Sequence, residues 1–197
     1  MVELFPIKIY KSSIVPSSSD DKICEDILND LFSKSTENYW AGESGFSTGE
    51  FSLSLHQYKE FNWLFDSLVS HLGAYWDELS YGNIPVYLRD SWANLHYSNH
   101  ETEEHSHSDG LLGNSIISGV FYFRKPENES NIIFCNPLDY ILRLQPYKDL
   151  KGIKTIGEEI KTNQYDFLLF PSWLRHRVPA FKSNSKRIAI SFNYARV

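Results

Sequence analysis

The chain has 197 residues, 42% of them hydrophobic and 15% aromatic. That is enough for one well-filled core and short for two, since domains usually run to roughly 100–200 residues; a single domain over residues 1–197 is expected. The formal charge is −6, with no Lys/Arg-rich block. Without a basic face to hold phosphates, nucleic acid is the least favoured partner and an anionic membrane has no electrostatic attraction. No stretch approaches the ~18 consecutive apolar residues of a membrane span, and Met1 to Ser13 lacks the basic flank, apolar run and cleavage site of a signal peptide. A cytoplasmic location is expected.

The opening Leu4-Phe5-Pro6-Ile7-Lys8-Ile9-Tyr10 alternates apolar and polar residues after the proline and predicts a strand at a sheet edge. Ser17-Ser18-Ser19-Asp20 supplies N-cap candidates for a helix carrying Ile23, Ile27, Leu28, Leu31 and Phe32 at helical spacing. Ser35 to Phe51 is polar, has no sustained period and reads as loop. From about Tyr58 to Leu79, Phe61, Leu64, Phe65, Leu68, Leu72, Tyr75 and Leu79 recur at three- and four-residue steps, predicting a second helix that buttresses a sheet. Residues 1–80 thus hold an edge strand and supporting helices.

The pattern changes over 86–197. Val86 to Tyr97, Ser115 to Arg124, Asn131 to Cys135, Tyr165 to Phe170, Val178 to Phe181 and Arg187 to Tyr194 are short and rich in aromatic or β-branched residues, with turn-like segments between them. Lys125-Pro126-Glu127-Asn128 is one such turn. Asn128-Glu129-Ser130 matches a glycosylation acceptor but, with no secretory signal, reads as part of it. The fold class is mainly β with N-terminal helices, a sandwich or barrel-like jelly roll packed on two helices. Cys24 and Cys135 lie far apart, one in a predicted helix and one in a predicted strand, and read as two reduced thiols.

The chemistry concentrates in His100-Glu101-Thr102-Glu103-Glu104-His105-Ser106-His107-Ser108-Asp109-Gly110. Residues two apart on a strand-like backbone point to one side, so either His105 with His107 or His107 with Asp109 could grip one metal ion. A third ligand is offered by His176 in Phe170-Pro171-Ser172-Trp173-Leu174-Arg175-His176-Arg177-Val178. Arg187 follows eleven residues later, at the head of Arg187-Ile188-Ala189-Ile190-Ser191-Phe192-Asn193. Two imidazoles and one carboxylate on one face of an octahedral ion leave three positions for a bidentate 2-oxo acid and O₂, the facial triad of non-haem Fe(II) oxygenases. The 2-oxo acid's distal carboxylate needs a buried cation, and an arginine's planar fork suits it.

At these residues the sequence resembles the Fe(II)/2-oxoglutarate-dependent oxygenase superfamily, in particular a small group of oxygenases found in bacteria and bacteriophages. The resemblance also takes in Leu4-Phe5-Pro6, Trp92-Ala93-Asn94-Leu95-His96, Ser118-Gly119-Val120-Phe121-Tyr122 and Phe134-Cys135-Asn136-Pro137, so that it covers nearly the whole chain. It implies a cupin-like double-stranded β-helix, located in the bacterium or an infected host cell, with Fe(II), 2-oxoglutarate and O₂ as cofactor and cosubstrates. The carboxylate-bearing triad of His107, Asp109 and His176 satisfies the iron chemistry best, with His105 as the alternative ligand, and Arg187 is expected to pair with 2-oxoglutarate. Related sequences often carry an H-x-H pair directly before the Ser-Gly-aromatic strand, whereas here a longer Gly110-to-Asn114 stretch intervenes.

Asn94, Tyr122 and Asn193 sit on strands that would line the barrel mouth and are candidates for touching 2-oxoglutarate. His56, His71, His96 and His100 read as structural. Trp92, Phe121, Phe123, Phe134, Phe167 and Phe192 read as core. Leu138 to Gly157 interrupts the strand pattern and is a candidate lid. The expected activity is hydroxylation of an unidentified substrate with release of succinate and CO₂. The rivals are a cupin-like metalloenzyme that does not use 2-oxoglutarate and a non-catalytic jelly-roll binding or assembly protein. A homodimer is compatible with any of these.

Overall fold

The computed structural model describes residues 6–37, 45–51, 53–108, 114–127, 129–144, 157–181 and 185–197. Strand β1 (Tyr10–Ser13) leads to helix α1 (Ser18–Lys34). The Ser17 side chain accepts a bond from the Asp20 backbone N–H at 3.2 Å, and Asp20 and Asp21 in the first turn and Lys34 in the last complement the helix dipole. A two-residue strand β2 (Phe46–Ser47) falls where the sequence read as loop. Three short 3₁₀ turns (Thr48–Glu50, Leu55–Gln57 and Lys59–Phe61) then precede helix α2 (Asn62–Glu78), so the helical signal from Tyr58 begins one turn before the α-helix itself. Among the described residues no helix is long and apolar enough to cross a membrane.

The remaining strands are β3 (Val86–His96), β4 (Thr102–His105), β5 (Ser115–Arg124), β6 (Ile132–Cys135), β7 (Gly157–Ile160), β8 (Asp166–Pro171), β9 (His176–Val178) and β10 (Arg187–Arg196), with a short helix α3 (Asp139–Arg143) between β6 and β7. They form a six-stranded sheet in the order β1-β8-β5-β10-β3-β2 and a four-stranded sheet in the order β4-β9-β6-β7. Every neighbouring pair runs antiparallel. The two sheets face each other as a double-stranded β-helix, and α1 and α2 cover the outer face of the larger one.

Alternation along the strands builds both layers. On β10, Ile188, Ile190, Phe192 and Tyr194 pack with Phe121, Phe123, Phe167 and Leu169 against Leu28, Phe61, Leu64 and Leu68 of the helical layer. On the opposite face Ala189, Val120, Tyr122, Leu168 and Phe170 meet Ile132 and Phe134 of the smaller sheet. The pairing of β10 with β3 shifts by one residue at Asn193/Tyr194. That bulge lets Leu88 and Val86 join the helix-facing core, although Ala93 and Leu95 further along β3 have the opposite parity. At Gly119 a Cβ would run into the Phe192 ring, so only glycine lets that ring cross β5.

Several expectations about strands are corrected. The first strand lies at Tyr10–Ser13, not over the alternating residues before it, although it does take the sheet edge beside β8. The strand expected at Val178 to Phe181 lies at His176–Val178, so His176 is itself a strand residue. Strands β4 and β7 were not recognised as strands. Both are polar, Thr-Glu-Glu-His and Gly-Glu-Glu-Ile, because the small sheet exposes its outer face and only the inner one needs apolar residues. Of the candidate lid, Leu138 to Leu144 holds α3, and residues 145–156 lie outside the described residues.

Candidate metal centre

His105 ends β4 and stands directly opposite His176, the first residue of β9. His107 lies just beyond β4, where its backbone N–H donates to the Ser172 carbonyl at 2.9 Å. The Ser172 N–H in turn donates to Ile116 O at 2.9 Å, which fastens the β8–β9 turn to the start of β5. This lattice of backbone bonds gathers three imidazoles. The ring centroids of His105 and His176 are 4.4 Å apart, those of His105 and His107 5.1 Å, and those of His107 and His176 5.2 Å. One nitrogen of each lies within 4.8 Å of the others, close enough to share one ion.

The tautomers follow from the backbone. His176 Nδ1 is 3.0 Å from Leu174 O and His105 Nδ1 is 2.9 Å from Glu103 O. A carbonyl only accepts, so each Nδ1 carries the hydrogen and each Nε2 keeps a lone pair for a metal. Burial, with His105 close by, pushes the His176 pKa down to about 4. Burial, with His176, His105 and Arg89 nearby, holds His107 well below the ordinary imidazole range. These two rings are therefore neutral at neutral pH, the form that binds metal. Asp109 lies outside the described residues.

The histidines open into a narrow cavity of about 50 Å³ between the sheets, lined also by Trp92, Asn94, Tyr122, Ser191 and Arg187. Arg187 is 2% exposed, its guanidinium carbon 5.6 Å from the centre of the Phe181 ring, and its Nη1 has no hydrogen-bond partner among the described residues. The Asn94 Oδ1 is likewise buried without a partner. Burial pushes the Tyr122 hydroxyl up to about 12, so it keeps its proton. Asn193 shares the inward parity of Arg187, but its amide is engaged. Oδ1 accepts from Ser118 Oγ at 2.6 Å and Nδ2 donates to Asp90 Oδ1 at 2.7 Å.

The other histidines serve the scaffold, with one exception. His56 bonds Ser91, His71 bonds Tyr10, and His100 accepts from the Tyr97 N–H with Glu37 at 3.5 Å. His96, read from the sequence as packing on the sheet, lines the cavity. Burial, with Arg187 and His100 adding to it, pushes its pKa down to about 2. Trp92, read as core, also lines the cavity, 5.7 Å from the His107 ring.

Sequence reasoning missed Glu129 and Lys125. Glu129 is 4% exposed, Oε1 lies 4.0 Å from Arg187 Nε, and neither carboxyl oxygen has a hydrogen-bond partner among the described residues. Lys125, 5% exposed, adds a second buried cation nearby. Both belong to a polar segment that reads as a solvated turn. Nothing local signals their burial, which for Glu129 comes with its place beside the buried Arg187 on the distant strand β10.

A family model described as "Putative 2OG-Fe(II) oxygenase" matches residues 90–193, more than half of the chain. The chain belongs to that family. No curated protein matches it. Among solved structures, a Pseudomonas putida prolyl-4-hydroxylase superposes with a TM-score of 0.65 at 10% identity, covering 97% of this chain and 94% of that one. The viral collagen prolyl hydroxylase of Paramecium Bursaria Chlorella virus-1, solved as its 2-oxoglutarate complex, gives 0.61 at 9% identity, with 96% of each chain covered. HygX from Streptomyces hygroscopicus, solved with nickel, 2-oxoglutarate and hygromycin B, gives 0.63 at 12% identity, with 96% of this chain and 83% of HygX covered.

Fe(II) and 2-oxoglutarate are the family's cofactors, and the residues present fit them. Converging imidazoles suit a divalent first-row metal. A buried guanidinium with an unpartnered N–H suits a carboxylate.

Proposed function

We propose that the chain is an Fe(II)- and 2-oxoglutarate-dependent dioxygenase that hydroxylates a substrate with release of succinate and CO₂. The observation that carries the reading is one cavity containing both three converging imidazoles and a buried, incompletely paired arginine. The rival metalloenzyme without 2-oxoglutarate gives Arg187 no task. The non-catalytic jelly roll gives neither feature one.

In this reading His107 and His176 hold the metal, and His105 takes the third position for which the sequence suggested Asp109. The carbonyls of Leu174 and Glu103 fix the ring tautomers of His176 and His105, so both present Nε2 without rearrangement. Arg187 binds the distal carboxylate of 2-oxoglutarate, and Tyr122 and Asn94 offer further polar groups along the same wall. When bound, the metal and its cosubstrates supply the oxidising power: one O₂ oxygen enters a substrate C–H bond and the other enters succinate as 2-oxoglutarate loses CO₂. The chain contributes placement and shielding. Trp92, Val120, Ile132 and Phe170 form apolar walls that exclude water from around the histidines.

Anaerobic titration with Fe(II) and then 2-oxoglutarate tests this through the visible charge-transfer band of the chelate. The wild type should develop the band and His176→Ala should not. Arg187→Met should weaken 2-oxoglutarate by about 100-fold, the loss of roughly 3 kcal/mol from two charge-assisted bonds, while leaving metal affinity unchanged. No band in the wild type, or an undiminished one in His176→Ala, rejects the proposal.

A further inference from the structure

Arg187 already faces a carboxyl group of the chain itself, that of Glu129. A guanidinium anchoring a carboxylate from solution is ordinarily free or held by neutral acceptors. Here a second carboxyl group already lies 4.0 Å from Nε, with side-chain exposures of 2% for Arg187 and 0% for Glu129. The distance is too long for a hydrogen bond. Among the described residues both Glu129 oxygens and Arg187 Nη1 remain without partners, so the pair is electrostatic and incompletely satisfied.

Resting on the oxygenase reading, we infer that Glu129 is the counter-carboxyl which Arg187 yields to the distal carboxylate of 2-oxoglutarate, and that binding the cosubstrate therefore takes up one proton onto Glu129. A second buried anion beside Glu129 would leave two carboxylates sharing the field of Arg187 and Lys125. Protonation of Glu129 removes that repulsion and turns a competing acceptor into an O–H donor. The free protein is poised for the change, because burial pushes the Glu129 pKa up to about 7 against the opposing pull of Arg187 and Lys125.

The other titratable groups around this cluster do not take the proton. Tyr122, which faces Arg187 and Glu129 from β5, is already protonated, being pushed up to about 12. His96 lines the cavity from β3 and is kept neutral by burial and by Arg187. Lys125 has its pKa lowered, mainly by burial, while Glu129, Asp166 and Glu159 pull it back up.

The sign is definite. The free-protein pKa of Glu129 lies above the ordinary carboxylate value, so below pH about 7 the group already carries its proton and binding needs none. Above that pH the proton must be drawn from solution, and affinity for 2-oxoglutarate falls by up to about tenfold per pH unit. Glu129 is thus a positioning and specificity residue for the cosubstrate and does not touch the metal.

Isothermal titration of 2-oxoglutarate into anaerobic, Fe(II)-saturated protein reads the proton directly, using buffers of different ionisation enthalpy at about pH 6 and about pH 8.5. The expected uptake is close to zero at the lower pH and close to one proton at the higher. Glu129→Gln should bind with the same affinity at both and take up none. A control that needs no variant is 2-oxovalerate, which keeps the metal-binding end and chain length of 2-oxoglutarate but lacks the distal carboxylate. It should cause no uptake in the wild type. Absence of uptake with 2-oxoglutarate at high pH, equal uptake with 2-oxovalerate, or uptake persisting in Glu129→Gln would each overturn the inference while leaving the oxygenase reading intact. Failure of 2-oxoglutarate to bind at any pH would remove both.

Discussion

Arg124, at the end of β5, ties the helical layer to the larger sheet and can be removed without touching the cavity. Its Nη1 and Nη2 each donate to an Asp21 oxygen at 2.8 Å, and Nη2 and Nε donate to Glu25 at 3.0 and 3.4 Å. Its guanidinium also lies 4.1 Å over the Phe123 ring. Side-chain exposures are 16% for Arg124, 25% for Asp21 and 32% for Glu25, so the cluster lies between exposed pairs worth up to about 1 kcal/mol and buried ones whose disruption costs about 3–5 kcal/mol. About 1 kcal/mol per carboxylate, plus about 0.5 for the ring contact, puts Arg124→Ala near 2.5 kcal/mol, or roughly 5–10 °C in Tm for a chain of this size. The Arg124 hydrogen bonds are the leading cause holding both Asp21 and Glu25 below the ordinary carboxylate range. Lowered acids contribute stability that is full above that range and lost as pH falls through the folded values. The cost of Arg124→Ala should therefore be largest near pH 7 and shrink toward about pH 3.5. Urea denaturation at the two pH values measures it. A cost under about 0.5 kcal/mol at pH 7, or the same cost at both pH values, would refute the assignment.

Gly119→Ala sets a methyl against the Phe192 ring and should cost about 1–3 kcal/mol, with Gly119→Ala/Phe192→Leu recovering part of the loss in a double-mutant cycle. Comparison of His105→Ala with Asp109→Ala decides the third metal ligand. The imidazole cluster leads to a loss of Fe(II) affinity beyond about 100-fold for the first and under about tenfold for the second, since outer partners of a ligand are worth about 10–100-fold; the reverse order would assign the position to Asp109. Burial pushes the thiols of both Cys24 and Cys135 up to about 11. At about pH 8 only about one in a thousand is then thiolate, so mass spectrometry should find both unalkylated by iodoacetamide in the folded protein and modified once it is unfolded.

The parts of the fold legible in the sequence are those whose side chains are buried on both faces or along a full helical stripe. Ser115–Arg124 is recovered end to end because Ile117, Phe121 and Phe123 face the helices while Val120 and Tyr122 face the smaller sheet. The polar strands β4 and β7 gave no such signal, since one face of each meets solvent and each is only four residues long. At the candidate metal centre, His107, His176 and Arg187 stand out because histidine and arginine at those spacings have a definite chemical use. The convergence of His105 on the same point depends on its register opposite His176, a relation between residues 71 positions apart. Glu129 was hidden for a related reason. Burial of a carboxyl is a property of what closes over it, and the residues beside it in sequence are those of an ordinary turn.

Strand β10 is hydrogen-bonded on both sides, and one face of it carries Ile188, Ile190, Phe192 and Tyr194 while the other carries Arg187, Ala189, Ser191 and Asn193. A slip of one residue would send the cavity arginine toward the helices and an isoleucine into its place, so errors in the cavity and errors in the core are the same error. An enzyme built this way has little freedom to diversify through its central strand. New substrates must be accommodated by connections whose length can change without resetting the register.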